Sequence, residues 1–147
     1  MKVVDANVLI HGRGLDGKLV TVPEVIDELK SGKARKGLSS HSVEAREPGK
    51  EKVEEVAQKS GEINSRTSKA DEKLLALSLE LGEPILTDDK ELQNLALHMD
   101  AKVEGFLDPL PEEKLSWKME CPRCGKKASG CGCGATPQRR IDQRSPV

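Results

Sequence analysis

Acidic side chains in this 147-residue chain recur where a fold could bring them together. Asp5 directly follows Val3-Val4, Glu28 lies in an amphipathic stretch, Asp71 stands three residues beyond Ser68, and Asp88-Asp89 directly follow Ile85-Leu86-Thr87. Carboxylates crowded into one crevice raise one another's pKa values, and burial adds to the cost of charging them. A divalent cation relieves that conflict, and an all-oxygen ligand set favours Mg²⁺ or Mn²⁺. Such a cation can orient and deprotonate water for in-line attack on a phosphodiester, and a second ion can stabilise the leaving oxygen. Each acid also has an ordinary explanation. Asp71 fits the N3 acid of a capping box behind Ser68, Asp88-Asp89 fit a helix N-cap pair, and Glu28 fits a solvated helix face. Asp5 is the hardest to explain away, because a charge straight after Val-Val stands at the end of a buried strand.

The four cysteines form a second constellation. Cys121-Pro122-Arg123-Cys124-Gly125 is a knuckle-type CxxC pair, and Cys131-Gly132-Cys133-Gly134 supplies a second pair after six residues. In a chain with no evident secretion leader, this density favours tetrahedral Zn²⁺ over disulfides or a redox pair. The second pair is CxC where a ribbon usually has CxxC, so a water, His41 or His98 is a rival for one ligand position. A segment this short cannot build a core, and metal binding would supply most of its stability.

The elements that must position these groups alternate between strand and helix. Strands are expected at 2–4, 19–22, 84–87 and 101–106. Helices are expected from Pro23 through Leu29, over 50–59, over 69–81 between Ser68 and Gly82, and over 91–98. That alternation predicts a parallel sheet with right-handed helical crossovers. In such a sheet, ligands gather outside the carboxyl ends of the strands, where Asp5 and Asp88-Asp89 stand. Residues 107–116 read as a proline-bearing linker, 117–134 as the ribbon and 135–147 as a disordered basic tail.

Charge divides the chain at the same place. The formal net charge is -1, yet residues 1–115 carry 17 basic against 23 acidic side chains, and residues 116–147 carry 7 against 2. A polyanionic partner would need the basic residues to offset the acids. The glycine-punctuated segment 30–37 offers Lys30, Lys33, Arg35 and Lys36, and the ribbon offers Arg123, Lys126 and Lys127. Arg139, Arg140 and Arg144 add charge in the tail, and Trp117 either stacks on a base or packs on the ribbon. With one Phe, one Trp and no Tyr, the core must be built from Leu, Val, Ile and Ala. No apolar run approaches the length that crosses a bilayer, which predicts a cytoplasmic protein without a membrane partner.

Four segments resemble PIN-domain nucleases: Val4-Asp5-Ala6-Asn7, Pro23-Glu24-Val25-Ile26-Asp27-Glu28-Leu29, Ser68-Lys69-Ala70-Asp71 and Thr87-Asp88-Asp89. The resemblance covers residues 1–106 and implies a three-layer α/β/α fold around a central parallel sheet. It implies a catalytic Mg²⁺ or Mn²⁺ held by Asp5, Glu28, Asp71 and Asp89, with Asn7 and Thr87 in hydrogen-bonded support. Asp88 would be an additional or outer ligand. A PIN domain followed by a cysteine ribbon, with Arg46-Glu47-Pro48 and Leu92-Gln93-Asn94-Leu95-Ala96, is further similar to the archaeal Nob-type endonucleases. That branch implies cleavage of precursor small-subunit (16S-type) rRNA at its 3′ end, on an assembling 30S particle, with a ribosome-assembly protein as a further partner. Two rival expectations stand beside it: a toxin-like PIN ribonuclease paired with an inhibitor, and a non-catalytic RNA- or ribosome-binding module.

Overall fold

The computed structural model describes residues 1–11, 17–31, 43–125, 132, 134 and 136–147. Five short parallel strands form the central sheet: β1 (Lys2–Val4), β2 (Leu19–Thr21), β3 (Val43–Ala45), β4 (Ile85–Leu86) and β5 (Val103–Glu104). They lie in the order β3-β2-β1-β4-β5. Between them run α1 (Ala6–His11), α2 (Pro23–Ser31), α3 (Lys50–Glu62), α4 (Lys69–Leu81) and α5 (Lys90–His98). The chain winds outward from β1 to β3, then returns to place β4 on the other side of β1. Right-handed crossovers in opposite directions put their helices on opposite faces. Accordingly α1 packs with α2, whereas α4 packs with both α3 and α5.

The inner strands β1, β2 and β4 are largely apolar because both faces are covered. Val3, Val4, Val20 and Ile85 are fully buried, and Leu74, Leu75, Leu77, Leu92, Leu95 and Val56 close over them. Each such side chain contributes about 1.5–3 kcal/mol through apolar area removed from water. Helix α4 has the limits its sequence announces. Ser68 accepts the Asp71 N–H at 3.1 Å, Asp71 Oδ2 accepts the Ser68 N–H at 3.2 Å, and Gly82 ends the helix at φ +67°. A side chain at that φ would be strained, so glycine is the natural stop.

Among the described residues, two elements of the sheet domain were not anticipated, the short helix α1 and the edge strand β3. The C-terminal organisation also differs from expectation. Residues 138–146 are not disordered: β7 (Gln138–Pro146) pairs antiparallel with β6 (Glu113–Glu120), with an irregularity between Ser116 and Trp117. Strand β6 also takes in 113–116 of the expected linker. The tail is charged, but long-range pairing supplies the backbone hydrogen bonds that its local sequence does not advertise.

The hairpin is anchored to the sheet domain by backbone-directed bonds. Asn94 accepts the Leu115 N–H at 2.6 Å and donates to the Leu115 carbonyl at 2.8 Å, which His98 Nε2 also contacts at 2.8 Å. Trp117 N–H donates to the Ile63 carbonyl at 2.9 Å, and Asn64 Nδ2 donates to the Trp117 carbonyl at 2.6 Å. His98 is therefore engaged with the hairpin backbone. His41 lies outside the described residues.

Candidate active site

The strand order reverses between β1 and β4, and at such a switch point the two connecting segments diverge and leave a crevice. Register places Val4 opposite Leu86, so Asp5 and Thr87 emerge together at the carboxyl edge. The buried Asp5 is held from both sides. Its Oδ1 accepts the Val8 N–H of α1 at 2.9 Å, and its Oδ2 accepts the Thr87 hydroxyl. Burial pushes its carboxyl above the usual aspartate range. The two hydrogen bonds only partly offset that effect, and the nearby charges of Asp71 and Asp89 reinforce it.

A cleft of about 260 Å³ opens beside Asp5, lined also by Asn7, Glu28, Asp71 and Asp89, with Ser68 at its rim and Val25 and Leu74 at its wall. Helix α2 presents Glu28, the capping box of α4 presents Asp71, and the N-cap of α5 presents Asp89. For two of these acids, helix capping and a place at the cleft coincide. Asp71 is a capping-box acid and faces the cleft, and Asp89 caps α5 while lining the same space. Asp89 Oδ1 accepts the N–H groups of Glu91 at 3.0 Å and Leu92 at 3.3 Å, and the Asp89 N–H donates to Thr87 Oγ1 at 3.1 Å. Because both are caps, their backbones are fixed by the helix starts themselves.

Asp88 is placed elsewhere. Its carboxylate accepts the N–H groups of Phe106 at 2.7 Å, Leu107 at 2.8 Å and Asp108 at 3.2 Å, and it is not among the residues that line the cleft. Desolvation opposes its charge, but these three amides hold its pKa below the usual value. The loop comes so close that a Cβ on Gly105 would lie 2.1 Å from the Asp108 carbonyl oxygen. The expectation that Asp88 is a further ligand therefore gives way to a role in loop anchoring. A tight turn needs an acceptor for its clustered amides, and Asp88 supplies it. Thr87 is likewise fully buried behind the cleft, bonded to Asp5 and Asp89, and its carbonyl accepts from Gln93 Nε2 at 2.6 Å.

The four acids share a cleft without forming a tight cage. Among the described residues, no three His, Cys, Asp or Glu side chains are gathered closely enough to hold one ion. The donor set nevertheless suits a hard divalent cation: carboxylate oxygens alone, one of them on a buried acid whose ionisation is opposed by its surroundings.

Of the expected RNA-contacting residues, Lys30 is exposed at the end of α2 and Arg123 is exposed on the turn after β6. Lys33, Arg35, Lys36, Lys126 and Lys127 lie outside the described residues, as do Cys131 and Cys133. Cys121 is buried and Cys124 exposed on that turn, which the Gly125 N–H closes onto the Cys121 carbonyl at 2.9 Å. Trp117 of β6 packs against Arg139 of β7. The Arg139 guanidinium lies 3.9 Å from its ring centroid.

Two charged residues outside the cleft lining join elements that the sequence does not mark as neighbours. Lys73 joins Glu24 of α2 to Glu47, and Glu91 gathers contacts from Ser65, Arg66 and Arg139. Nothing in local spacing signals either group, because every partner is distant in sequence.

Acids from four elements thus line one crevice at the switch point of a parallel α/β sheet. Residues 3–81 match the family model described as PIN domain of ribonuclease, and the chain belongs to that family, whose fold is a nuclease fold. The chain is 34% identical over 132 residues to Endoribonuclease Nob1 of Pyrococcus abyssi, covering 85% of this chain and 80% of that protein. It is 33% identical over 134 residues to Endoribonuclease Nob1 of Methanocaldococcus jannaschii, covering 86% of this chain and 66% of that protein. Ribonuclease VapC1 of Thermoplasma acidophilum is 32% identical over 146 residues, covering 90% of this chain and 73% of that protein.

Proposed function

We propose that this protein is a divalent-metal-dependent endoribonuclease that cleaves precursor small-subunit rRNA at its 3′ end on an assembling 30S particle in the cytoplasm. The observation that carries the chemistry is the cleft at the β1/β4 edge, lined by Asp5, Glu28, Asp71 and Asp89. The substrate rests on the similarity to proteins named Endoribonuclease Nob1. Asp5, Glu28, Asp71 and Asp89 would hold Mg²⁺ or Mn²⁺, which supplies water activation and charge neutralisation at the phosphodiester.

The protein's own contribution is preorganisation. Thr87 and the Val8 N–H keep Asp5 from turning, and the two helix caps fix Asp71 and Asp89. Asn7 at the cleft wall offers an amide that can both donate to and accept from a ribose or phosphate. Lys30, Lys33, Arg35, Lys36, Arg123, Lys126 and Lys127 would supply the cationic contacts to the RNA backbone. Without such cations, the cleft would repel its substrate. Cys121, Cys124, Cys131 and Cys133 would hold a structural Zn²⁺. Elemental analysis of fresh protein should find one zinc per chain, and finding none would remove that assignment.

The substrate is tested by mapping cuts in a transcript spanning the mature 3′ end of small-subunit rRNA, with Mn²⁺ and with chelator. One metal-dependent cut at that end supports the reading. Scattered cuts, or co-purification of a small inhibitor, favour the toxin-like PIN ribonuclease, for which the similarity to Ribonuclease VapC1 speaks. RNA binding with no cleavage under any divalent metal would leave only a binding module.

A further inference from the structure

We propose that Glu91 is a positioning residue of the cleft: with Arg139 it locks the helix start carrying Asp89 against the segment leading to Asp71, so that the cleft's shape depends on the C-terminal hairpin. The inference rests on the nuclease reading above. Asp89 and Asp71 sit at the starts of two different helices; Asp89 is also tied to Thr87, whereas the capping bonds of Asp71 stay within its own helix start. Something must set the two starts relative to each other. Glu91 touches both sides.

Its backbone N–H donates to Asp89 Oδ1 at 3.0 Å, which makes it part of the α5 cap. Its side-chain Oε2 accepts the Arg66 N–H at 3.3 Å and the Ser65 hydroxyl at 3.5 Å, just upstream of the Ser68 cap and Asp71. Its Oε1 pairs with Arg139 of β7. Arg139 in turn donates to the Asn64 carbonyl at 3.1 Å and covers Trp117 of β6. The pair is sheltered, with Arg139 14% and Glu91 25% exposed, so solvent and salt screen it less than a surface ion pair. One carboxylate thus joins α5, the approach to α4 and the hairpin. Loosening the hairpin would release Arg139, and with it the alignment of two cleft acids.

A plain staple between hairpin and domain would affect melting temperature but not metal affinity or turnover. The test therefore compares Arg139→Met, Arg139→Lys and Glu91→Gln with wild type. Three quantities are read: Mn²⁺ affinity by electron paramagnetic resonance titration, kcat and KM on single-stranded RNA, and Tm. Arg139→Met and Glu91→Gln should each weaken Mn²⁺ binding and lower kcat by about 10- to 100-fold, the usual range for partners that orient ligands. KM should stay near wild type, and Arg139→Lys should recover most of the loss. Wild-type Mn²⁺ affinity and kcat in both Arg139→Met and Glu91→Gln, whatever their Tm, would overturn the coupling and leave the nuclease intact. A wild-type protein that neither binds Mn²⁺ nor cuts RNA would overturn the nuclease reading, and the coupling with it.

Discussion

Thr87 donates its hydroxyl proton to Asp5 Oδ2 across the β1/β4 switch point and accepts the Asp89 N–H at 3.1 Å with the same oxygen. One buried hydroxyl thereby ties a strand-end acid to a helix-cap acid on the opposite side of the crevice. Valine in its place would keep the β-branched shape and remove both bonds. Thr87→Val should cost about 1–3 kcal/mol for the polar groups left unpaired. It should also lower the cleavage rate by about 10- to 100-fold. Thr87→Ser should stay close to wild type. Thermal melts and single-turnover cleavage measure the two effects.

Ser68 and Asp71 allow capping to be separated from chemistry. Ser68→Ala removes the acceptor for the Asp71 N–H and should destabilise by about 0.5–2 kcal/mol. Asp71→Asn keeps an oxygen for the Ser68 N–H and should melt closer to wild type, yet lose metal-dependent cleavage. Denaturant titration alongside a cleavage assay distinguishes them.

The ion pair between α2 and α4 predicts an acid limb in stability. The Lys73 ammonium holds Glu24 below its ordinary value of 4.5. A carboxyl whose folded pKa is depressed adds stability above its unfolded pKa and loses it as pH falls through the folded one. The Tm gap between wild type and Glu24→Gln should therefore be constant near neutrality and narrow below about pH 4.5, the value from which Glu24 is lowered. An unchanged gap at pH 3 would contradict the pairing. The site is partly exposed, so the gap should be small and shrink with added salt.

Asn94 is the clamp for the hairpin, accepting from and donating to the backbone of Leu115. Asn94→Ala should cost about 1–3 kcal/mol for two lost hydrogen bonds. Because Trp117 is the one tryptophan in the chain, its fluorescence reports directly on the hairpin. Its emission should shift before the global unfolding seen by circular dichroism, whereas coincident transitions would show that hairpin and sheet unfold as one unit.

Local chemistry made much of the fold legible. Ser68, Asp71 and Gly82 mark both ends of α4, and the Val3-Val4 run marks the central strand. Asp5 and Asp88-Asp89 follow strands, which places them at one edge once the sheet is parallel. What escaped has a common cause. Strand β3 is three half-buried or exposed residues stabilised by pairing with β2, and β7 is a mostly polar, exposed run stabilised by pairing with β6. Asp88 and Asp89 could not be told apart by sequence, since only the path of residues 105–108 decides which one meets a cluster of amides. Glu91 and Lys73 look like ordinary helix charges until distant partners are brought to them.

The account stands most directly on Asp5. Its charge is disfavoured where it sits, so Asp5→Asn should fold at least as stably as wild type. Cleavage of the precursor transcript by equal amounts of wild-type and Asp5→Asn protein, with Mn²⁺ at saturating concentration, is the deciding measurement. Loss of cutting in a variant of unchanged or higher Tm is the predicted result, and wild-type cutting by Asp5→Asn would contradict it.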